Sequence, residues 1–140
     1  MYCLLITGSR EATPAMCQVA HACVFRAGDK GWRVLVGDAG GIDAAVIAAC
    51  DASGVPVTVF GAYGKLRRRT NQAEPDGKNV ALPCPSYPQR NGVMVVAASR
   101  CVGIWDGQSS GTRDTLNKAF RKGIPTYVWT EERGVWKAYP

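Results

Sequence analysis

Three short segments combine glycine with hydroxyl, acidic or basic side chains, and each of them follows an apolar run. They are Thr7-Gly8-Ser9-Arg10, the segment from Gly37 to Asp43, and the segment from Asp106 to Thr112. Each stands where a strand would end and a helix would begin. Glycine lets backbone N–H groups approach a ligand closely, and a helix N-terminus attracts anions. One such segment is common in α/β proteins, whereas three together indicate a ligand that carries phosphate.

The first segment supplies a turn, a hydroxyl and a cation in sequence. Gly8 permits the tight turn, Ser9 offers a hydroxyl, and the planar guanidinium of Arg10 suits a phosphate. The alternative interpretation is a glycine turn followed by an exposed arginine. We favour the interpretation that this segment binds a ligand.

The second segment supplies two glycines and a carboxylate. Gly40 and Gly41 allow a ligand to approach the backbone, and Asp43 falls in the first turn of the following helix. A carboxylate there interacts favourably with the helix dipole and is also able to accept hydrogen bonds from a ribose. That Asp43 only caps its helix is an equally good interpretation, and Asp38 is similarly ambiguous.

The third segment is the richest in donors. Its candidate phosphate ligands are Gly107, Ser109, Ser110, Gly111 and Thr112, whose hydroxyls and amides lie directly before a helix. It is not a P-loop, because no Lys-Ser or Lys-Thr follows the glycine. Gly-x-Gly-x-x-Gly is absent from the first segment, which disfavours nicotinamide dehydrogenase chemistry, and no Gly-x-Ser-x-Gly motif is present to build a hydrolase triad.

Composition and charge narrow the class of protein. The 140 residues fit one domain covering 1–140, with 46% hydrophobic and 20% charged residues. The net charge of +6 suits an anionic partner, and part of it comes from Lys65 and residues 67–69, which also fit a solvated loop. No apolar stretch is long enough to cross a membrane and the start lacks the features of a signal peptide, so we expect no membrane partner and a cytoplasmic location.

Six cysteines require an explanation. No two form a Cys-x-x-Cys pair, and His21 is the one imidazole available to join them, so the sequence predicts neither a metal site nor a cofactor. Most of the cysteines lie in apolar runs, which predicts buried thiols.

The elements that must position these residues alternate between strand and helix. The pattern predicts strands over 2–7, 32–36, 56–60, 101–105 and 125–129, a short sixth over 135–139, and helices over 13–28, 42–53, 87–99 and 110–122. Thr13 is the expected N-cap of the first helix and Pro14 its first residue. Residues 61–86 are predicted to be a long loop, and Val93, Val96 and Ala97 are the expected core contacts of the third helix.

This alternation predicts an α/β Rossmann-like three-layer sandwich, with a mainly parallel sheet of five or six strands and helices on both faces. Right-handed crossovers place every strand-to-helix corner at one edge of such a sheet. The three glycine segments are therefore expected to meet at the carboxyl ends of the strands, where open α/β sheets bind ligands.

Four motifs in order resemble the SMF/DprA–LOG (SLOG) Rossmann-like superfamily. Ile6-Thr7-Gly8-Ser9-Arg10 resembles its opening strand and turn, and residues 37–43 resemble the Gly-x-Ala-x-Gly-Ile-Asp turn of its DNA-processing DprA/Smf branch. Tyr87-Pro88-Gln89-Arg90-Asn91 is similar to the aromatic-Pro-x-Arg-Asn segment of that branch. Residues 106–112 resemble the phosphate-binding turn of the superfamily.

The resemblance implies binding of a nucleotide, a nucleotide-derived signal or single-stranded DNA. The LOG branch of the superfamily contains phosphoribohydrolases that use an arginine and a glutamate after a Gly-Thr turn. Here Gly111-Thr112 is followed by Arg113, Asp114 and Thr115, so a shorter acid stands at a neighbouring position, which counts against glycosidic hydrolysis. Its DprA branch binds single-stranded DNA through a basic surface that Lys65 and residues 67–69 echo in part.

We therefore expect a phosphorylated nucleoside or an ADP-ribose-like ligand, held by the three glycine segments together with Arg90 and Asn91. The alternatives are a nucleoside-monophosphate phosphoribohydrolase, with Asp43, Asp114 or Arg90 as candidate catalytic residues, and a binder of single-stranded nucleic acid that uses exposed aromatic residues. The resemblance also implies a homo-oligomer, for which a dimer is the default.

Overall fold

A computed structural model describes all residues from 1 to 140. Strands and helices alternate along the chain, as the sequence pattern predicts. The strands are β1 (Cys3–Gly8), β2 (Arg33–Gly37), β3 (Val57–Gly61), β4 (Gly77–Ala81), β5 (Arg100–Trp105), β6 (Thr126–Thr130) and β7 (Trp136–Ala138). The helices are α1 (Pro14–Asp29), α2 (Ile42–Ser53), α3 (Tyr87–Ala97) and α4 (Ser110–Lys122).

All seven strands form one sheet in the order β4-β3-β2-β1-β5-β6-β7. Every neighbouring pair is parallel except β6 and β7, which are antiparallel. The Rossmann-like α/β architecture expected from the sequence is confirmed. The sheet has one strand more than the five or six predicted, because β4 lies within the segment expected to be a loop.

Strand β4 was not predicted from the sequence, because its side chains do not form an apolar pattern. It pairs in parallel with β3 at the edge of the sheet, and Lys78 and Asn79 on it are exposed. An edge strand of this kind is held by backbone hydrogen bonds to one neighbour rather than by burial. Residues 61–86 are therefore two connecting segments on either side of a strand, not a continuous loop.

Two hydrophobic cores lie on opposite faces of the sheet. One contains Ile6 and Val36 with residues of α1 and α2, and the other contains Leu5 and Leu35 with residues of α3 and α4. Consecutive strand residues therefore point to different helical layers, as the two-residue repeat of a strand requires. Both faces are buried, which explains why these strands are continuous apolar runs.

The start of α1 follows the sequence prediction. Thr13 is its N-cap and accepts a hydrogen bond from the amide of Met16, and Pro14 occupies the first helical position. None of the helices combines the length and the apolar character that crossing a membrane requires.

The inward face of α3 differs from the sequence prediction. Val93, Val96 and Ala97 are exposed, whereas Met94 and Val95 are buried. Residues 93–98 are all apolar, so their pattern does not select one side of a helix. The position of the N-cap Ser86, whose hydroxyl accepts from the amide of Gln89, and the packing against α4 set the rotation.

The sheet order reverses between β1 and β5. From β1 the chain continues outward to β2, while β5 lies on the other side of β1, and Gly8 of β1 is in register with Ile104 of β5. Helices α1 and α4, which follow these two strands, belong to different layers. Such a reversal leaves a crevice at the carboxyl ends of the strands, and it is here that the first and third glycine segments emerge.

Candidate functional site

A small cleft of about 50 Å³ occupies this crevice. Its walls come from the ends of β1 and β2, the first turn of α2, the inner side of α3 and the N-terminus of α4. Fourteen residues line it: Thr7, Gly8, Arg10, Gly37, Ala39, Asp43, Tyr87, Arg90, Asn91, Met94, Ser109, Gly111, Thr112 and Thr115. The three glycine segments and the Tyr87–Asn91 segment therefore meet in one place.

Eight of the predicted site residues line the cleft: Gly8, Arg10, Asp43, Arg90, Asn91, Ser109, Gly111 and Thr112. The other predicted positions do not line it. Ser9 and Gly41 hold the surrounding loops together, Gly40 lies beside Arg68, Asp114 is paired on α4, and Gly107 and Ser110 line neighbouring depressions.

Arg90 is the cation built most deeply into the site. It is 5% exposed, its Nη1 donates to Asp38 at 2.9 Å and to the carbonyl of Phe60 at 2.9 Å, and its Nε donates to Asn91 at 3.0 Å. Its Nη2 has no hydrogen-bond partner in the protein, although no fully buried polar atom is left unsatisfied. Nη2 therefore retains contact with solvent and can donate to a ligand.

Asp38 fixes this arginine. The carboxylate is 1% exposed and accepts from Arg90 and, through both oxygens, from the backbone and side chain of Arg67. Burial by itself would raise the pKa of Asp38, but the hydrogen bonds and charge of Arg67, together with the charge of Arg90, hold it below its ordinary value. Asp38 is thus a buried anion that orients two cations at the cleft.

Asp43 is the one carboxylate among the cleft residues. Its Oδ2 accepts from the amide of Ala39 at 3.1 Å, and its Oδ1 has no hydrogen-bond partner in the protein. Burial raises the pKa of Asp43 to about 6, an effect that the Ala39 amide and the charge of Arg90 offset only in part. Asp43 therefore presents a free acceptor oxygen in the cleft and changes its protonation state near neutral pH.

The N-terminus of α4 supplies free backbone donors. The amides of Ser110, Gly111 and Thr112 have no hydrogen-bond acceptor in the protein, as the first turn of a helix leaves them. The two amides before them are occupied, because Asp106 accepts from Gln108 and Ser109 at 2.8 Å each. Burial alone would raise the pKa of Asp106, and these two amides outweigh it and lower the pKa.

The first glycine segment has a divided role. Ser9 is fully buried, and its hydroxyl accepts from the amide of Asp106 at 2.8 Å, so it joins the loops after β1 and β5. Arg10 is exposed, lines the cleft and forms no ion pair. Of these two neighbours, the arginine is the side chain available to a ligand.

Gly41 locks the second segment against the first. Its φ is +64°, and a Cβ at this position would overlap the carbonyl oxygens of Ser9 and Arg10. The next residue, Ile42, donates its amide to the Ser9 carbonyl at 3.0 Å. The glycine is needed for the close contact between loops, which places α2 beside the cleft.

Asn91 and Asp114 belong to one polar chain. Asn91 accepts from Arg90 through Oδ1 and donates to Asp114 through Nδ2 at 3.2 Å. Both oxygens of Asp114 also accept from Lys118, one turn further along α4. Asp114 therefore lies behind Asn91 with its oxygens occupied and does not reach the cleft.

Tyr87, which lines the cleft, forms a cluster with Tyr63 and Arg67 at its rim. The guanidinium of Arg67 lies 4.2 Å from the ring centre of Tyr87, and that of Arg90 lies 5.1 Å from it. Tyr63, which is 52% exposed, packs edge-on against Tyr87 at 5.3 Å. Sequence reasoning assigned Arg67 to a basic run, because nothing in its spacing reveals a pairing with a carboxylate 29 positions earlier.

Trp105, at the end of β5, does not line the cleft. Its Nε1 donates to the carbonyl of Ser109 at 3.1 Å, and the Arg113 guanidinium lies 5.5 Å from its ring. It thus supports the start of α4 from outside.

Neither a family model nor a curated protein sequence matches the chain. Its fold is similar to that of the molybdenum cofactor binding protein of the phototrophic bacterium Rippkaea orientalis, with a TM-score of 0.72 and 14% identity over 93% of this chain and 77% of that one. For the molybdenum cofactor carrier protein of Chlamydomonas reinhardtii the TM-score is 0.70 and the identity 12%, over 94% and 79% of the two chains.

A third similar structure is DNA processing protein A of Helicobacter pylori. Its TM-score is 0.67 and its identity 15%, over 91% of this chain and 64% of that one. These structures are all of SLOG-superfamily proteins. The chain shares its Rossmann-like fold with these proteins, in agreement with the fold that its motifs led us to expect.

Proposed function

We propose that the cleft at the carboxyl edge of the sheet binds a phosphorylated nucleoside or an ADP-ribose-like ligand. The observation that carries the proposal is the convergence of two kinds of free donor. The amides at the start of α4 and the Nη2 atom of the nearly buried Arg90 both lack a partner in the protein, and residues of both elements line the same cleft.

The phosphate would occupy the α4 side of the cleft. Gly111 and Thr112 line it with unpaired amides, and the helix dipole adds a partial positive charge at this end. Arg10, which forms no ion pair, lies on the same rim. Donors fixed by the backbone select for an anion without having to be ordered when it binds.

The sugar would occupy the α2 side. Asp43 has a free Oδ1 oxygen that can accept from a ribose hydroxyl, and Thr7 adds a hydroxyl at the end of β1. The volume of about 50 Å³ is too small for a whole nucleotide, so the base must extend past the rim. Tyr63 and Tyr87 stand there with exposed aromatic surface.

Proteins that share this fold support ligand binding in general. Two of them are named for binding or carrying the molybdenum cofactor, and a third is described for its single-stranded DNA binding mode. They do not select among ligands, and the choice of a phosphorylated nucleoside rests on the donors of the cleft.

Replacing Gly111 by alanine tests the proposal directly. A Cβ at Gly111 meets no protein atom within 4 Å and enters the open space beside the cleft. We expect Gly111→Ala to weaken AMP or ADP-ribose binding by about tenfold or more, since about 1.4 kcal/mol of lost contact suffices. Isothermal titration calorimetry with AMP, ADP-ribose and uncharged adenosine measures this, and adenosine should bind more weakly than AMP.

Gly92→Ala is the matched control. Gly92 lies in α3, where an added Cβ also meets no atom within 4 Å, and it does not line the cleft. Alanine is a better helix former than glycine, so neither substitution is expected to unfold the protein. If AMP and ADP-ribose fail to bind the unaltered protein, or if both variants retain its affinity, the cleft is not a phosphate site.

A single-stranded nucleic acid is the second candidate ligand. Arg68 and Arg69 are exposed, and the Arg68 guanidinium lies next to Gly40, close to the cleft. Together with Tyr63 they form a basic and aromatic rim suited to phosphates and bases. Binding of a labelled oligothymidine would then fall with salt, with a log–log slope of about −0.7 for each phosphate contacted. Oligothymidine binding that does not change with salt concentration would exclude this rim as a nucleic-acid site.

A glycosidic hydrolase is a third candidate, favoured by Asp43 alone. A cleft carboxylate with a pKa near 6 is suited to general acid–base catalysis at neutral pH. The second carboxylate, for which Asp114 is the candidate after the Gly111-Thr112 turn, is not available, because Asp114 is hydrogen-bonded to Lys118 and Asn91. Chromatography for free base after incubation with nucleoside monophosphates tests it, and Asp43→Asn must abolish any release that is found.

We further propose a homodimer, as the resemblance implies. Light scattering after size-exclusion chromatography should then give twice the 15.0 kDa mass of one chain.

A further inference from the structure

A second and larger cavity lies on the α1 face of the sheet. Its volume is about 400 Å³, and it is bounded by the last turns of α1, the segment before β2, and strands β1, β5, β6 and β7. None of its lining residues lines the cleft at the carboxyl edge. It is therefore a separate site, and the proposed function makes no use of it.

The floor of this cavity is apolar and its walls are aromatic. Leu4 and Val102 on the sheet are buried, while Trp32, Tyr127 and Trp136 contribute rings around them. Trp136 is 40% exposed. Aromatic walls over an aliphatic floor favour a flat apolar body, because rings stack or pack edge-on against one another.

Three cations surround the same cavity and none is neutralised. Arg26, Lys30 and Arg100 line it, and none has a carboxylate within ion-pair distance. The Lys30 ammonium lies 5.3 Å from the ring centre of Trp32, and the Arg100 guanidinium 5.6 Å from that of Tyr127. No acidic residue lines the cavity.

Arg26 and Lys30 have a structural explanation, since cations at the end of α1 interact favourably with the helix dipole. Arg100 has none of this kind, because it begins β5. Its Nε donates to the hydroxyl of Tyr2 at 3.2 Å, and its two terminal nitrogens have no hydrogen-bond partner in the protein. A guanidinium fork beside an aromatic cavity is well suited to a carboxylate, sulfonate or phosphate.

We infer that this cavity binds a planar aromatic anion, with the ring system among Trp32, Tyr127 and Trp136 and the acidic group near Arg100. The volume lies within the range of small-molecule sites. The combination of apolar floor, aromatic wall and unpaired cations selects for a molecule that is both flat and negatively charged. An uncharged aromatic molecule would contact the aromatic walls but leave the cations unpaired, and an aliphatic anion would do the reverse.

Two fluorescent probes of almost the same shape test the inference. Anilinonaphthalene sulfonate is an aromatic anion built on a planar naphthalene, and N-phenylnaphthylamine is the same framework without the sulfonate. We expect the native protein to bind the anion more tightly than the neutral probe. Arg100→Gln should lower the affinity for the anion by about fivefold to tenfold, because one charge-assisted contact is lost. The neutral probe should be unaffected by Arg100→Gln.

Arg121→Gln and Gly111→Ala are the controls. Arg121 is an exposed cation of α4 outside both cavities, and Gly111 belongs to the other site. Both variants should bind the anion as the unaltered protein does. If Arg100→Gln reduces folding, Arg26→Gln, at an exposed position, replaces it. Equal affinity for the two probes, equal loss in Arg121→Gln, loss in Gly111→Ala, or no binding would each overturn the inference.

Discussion

Two buried carboxylates five positions apart have opposite electrostatic surroundings. Asp38 has hydrogen bonds from two arginines and its pKa is lowered, whereas Asp43 has one backbone donor and its pKa is raised to about 6. At Asp43 the effect of burial on the pKa dominates, whereas at Asp38 the hydrogen bonds and charges of the two arginines outweigh it. Asp38 is suited to hold cations in place, and Asp43 to respond to ligand or pH.

Asp43 should make the stability of the protein depend on pH. Its pKa is higher in the folded state than the ordinary value of 3.8, so the folded protein holds this proton more tightly than the unfolded chain does. The contribution to the free energy of unfolding is therefore complete below about pH 4 and is lost as the pH rises through about 6. We expect Asp43→Asn to match the unaltered protein at pH 4 and to be more stable by about 1–3 kcal/mol at pH 7.5.

Urea denaturation at the two pH values measures this difference. Asp29→Asn, an exposed change at the end of α1, is the control and should alter neither value. A variant equally destabilised at both pH values would show that the Asp43 carboxylate is needed for folding whatever its charge.

Asp38 should matter more to stability than its partly exposed partner Arg67 does. Asp38→Asn leaves the nearly buried Arg90 without a counter-charge, which we expect to cost about 3–5 kcal/mol. Arg67→Ala leaves the Asp38–Arg90 pair in place and removes a side chain that is one-third exposed, so about 1 kcal/mol is expected. Urea denaturation at pH 7 distinguishes the two, and similar losses would mean that Arg90 does not depend on Asp38.

At the level of elements, the loops after β1, β2 and β5 form one interlocked unit. The carbonyl of Ser9 accepts from Ile42 and its hydroxyl accepts from Asp106, so a buried serine bridges all three. Sequence reasoning expected Ser9 and Gly41 to contact the ligand. The structure uses them to set the relative positions of the loops, and leaves Arg10 and the start of α4 to face the cleft.

Two glycines with positive φ should differ sharply when replaced by alanine. At Gly107, φ is +80° and an added Cβ meets no atom, so Gly107→Ala should cost about 1–2 kcal/mol through backbone strain alone. At Gly41 an added Cβ also overlaps the first loop. We expect Gly41→Ala to cost at least 2 kcal/mol more than Gly107→Ala, since loops or helix must move apart.

Thermal and urea unfolding of the two variants measure this difference. Equal losses would show that the loops yield readily and do not hold the cleft in a fixed shape.

For the molecule as a whole, the two cores determine the chemistry of the thiols. All six cysteines are free, Cys50 and Cys101 are buried, and the other four are partly exposed. Burial raises the pKa of Cys23, Cys50 and Cys101 to about 12, so very little reactive thiolate is present at neutral pH. The expected burial of thiols is confirmed for Cys50 and Cys101 and holds only in part for the rest.

Cys50 and Cys101 should react only when the protein unfolds, and the partly exposed Cys23 should react slowly in the native protein because its pKa is raised. In native protein at pH 7.5 we expect iodoacetamide to label Cys3, Cys17 and Cys84 well before the other three, because reaction requires an accessible thiolate. Peptide mass spectrometry after timed labelling identifies the order, and labelling in urea should be complete at all six. Early labelling of Cys101 in the absence of urea would mean that the sheet opens locally.

Every element except β4, the alternation of strands and helices, and the edge at which the glycine segments meet can be predicted from the amino-acid sequence. Continuous apolar runs allow only a sheet covered on both faces, and right-handed crossovers then place every strand-to-helix corner on one side. Arg90 and Asn91 were expected next to the glycine segments because residues 87–91 resemble a DprA/Smf segment, and in the structure both line the same cleft.

The contacts that each of these residues makes depend instead on the folded chain. The pairing of Asp38 with Arg67 and Arg90, the inward face of α3 and the existence of β4 depend on contacts between residues distant in the chain or on backbone hydrogen bonds. Neither leaves a periodic pattern in the sequence. The same holds for the cavity near Arg100, whose walls come from five elements and the segment before β2 and are assembled only when the sheet and α1 pack together.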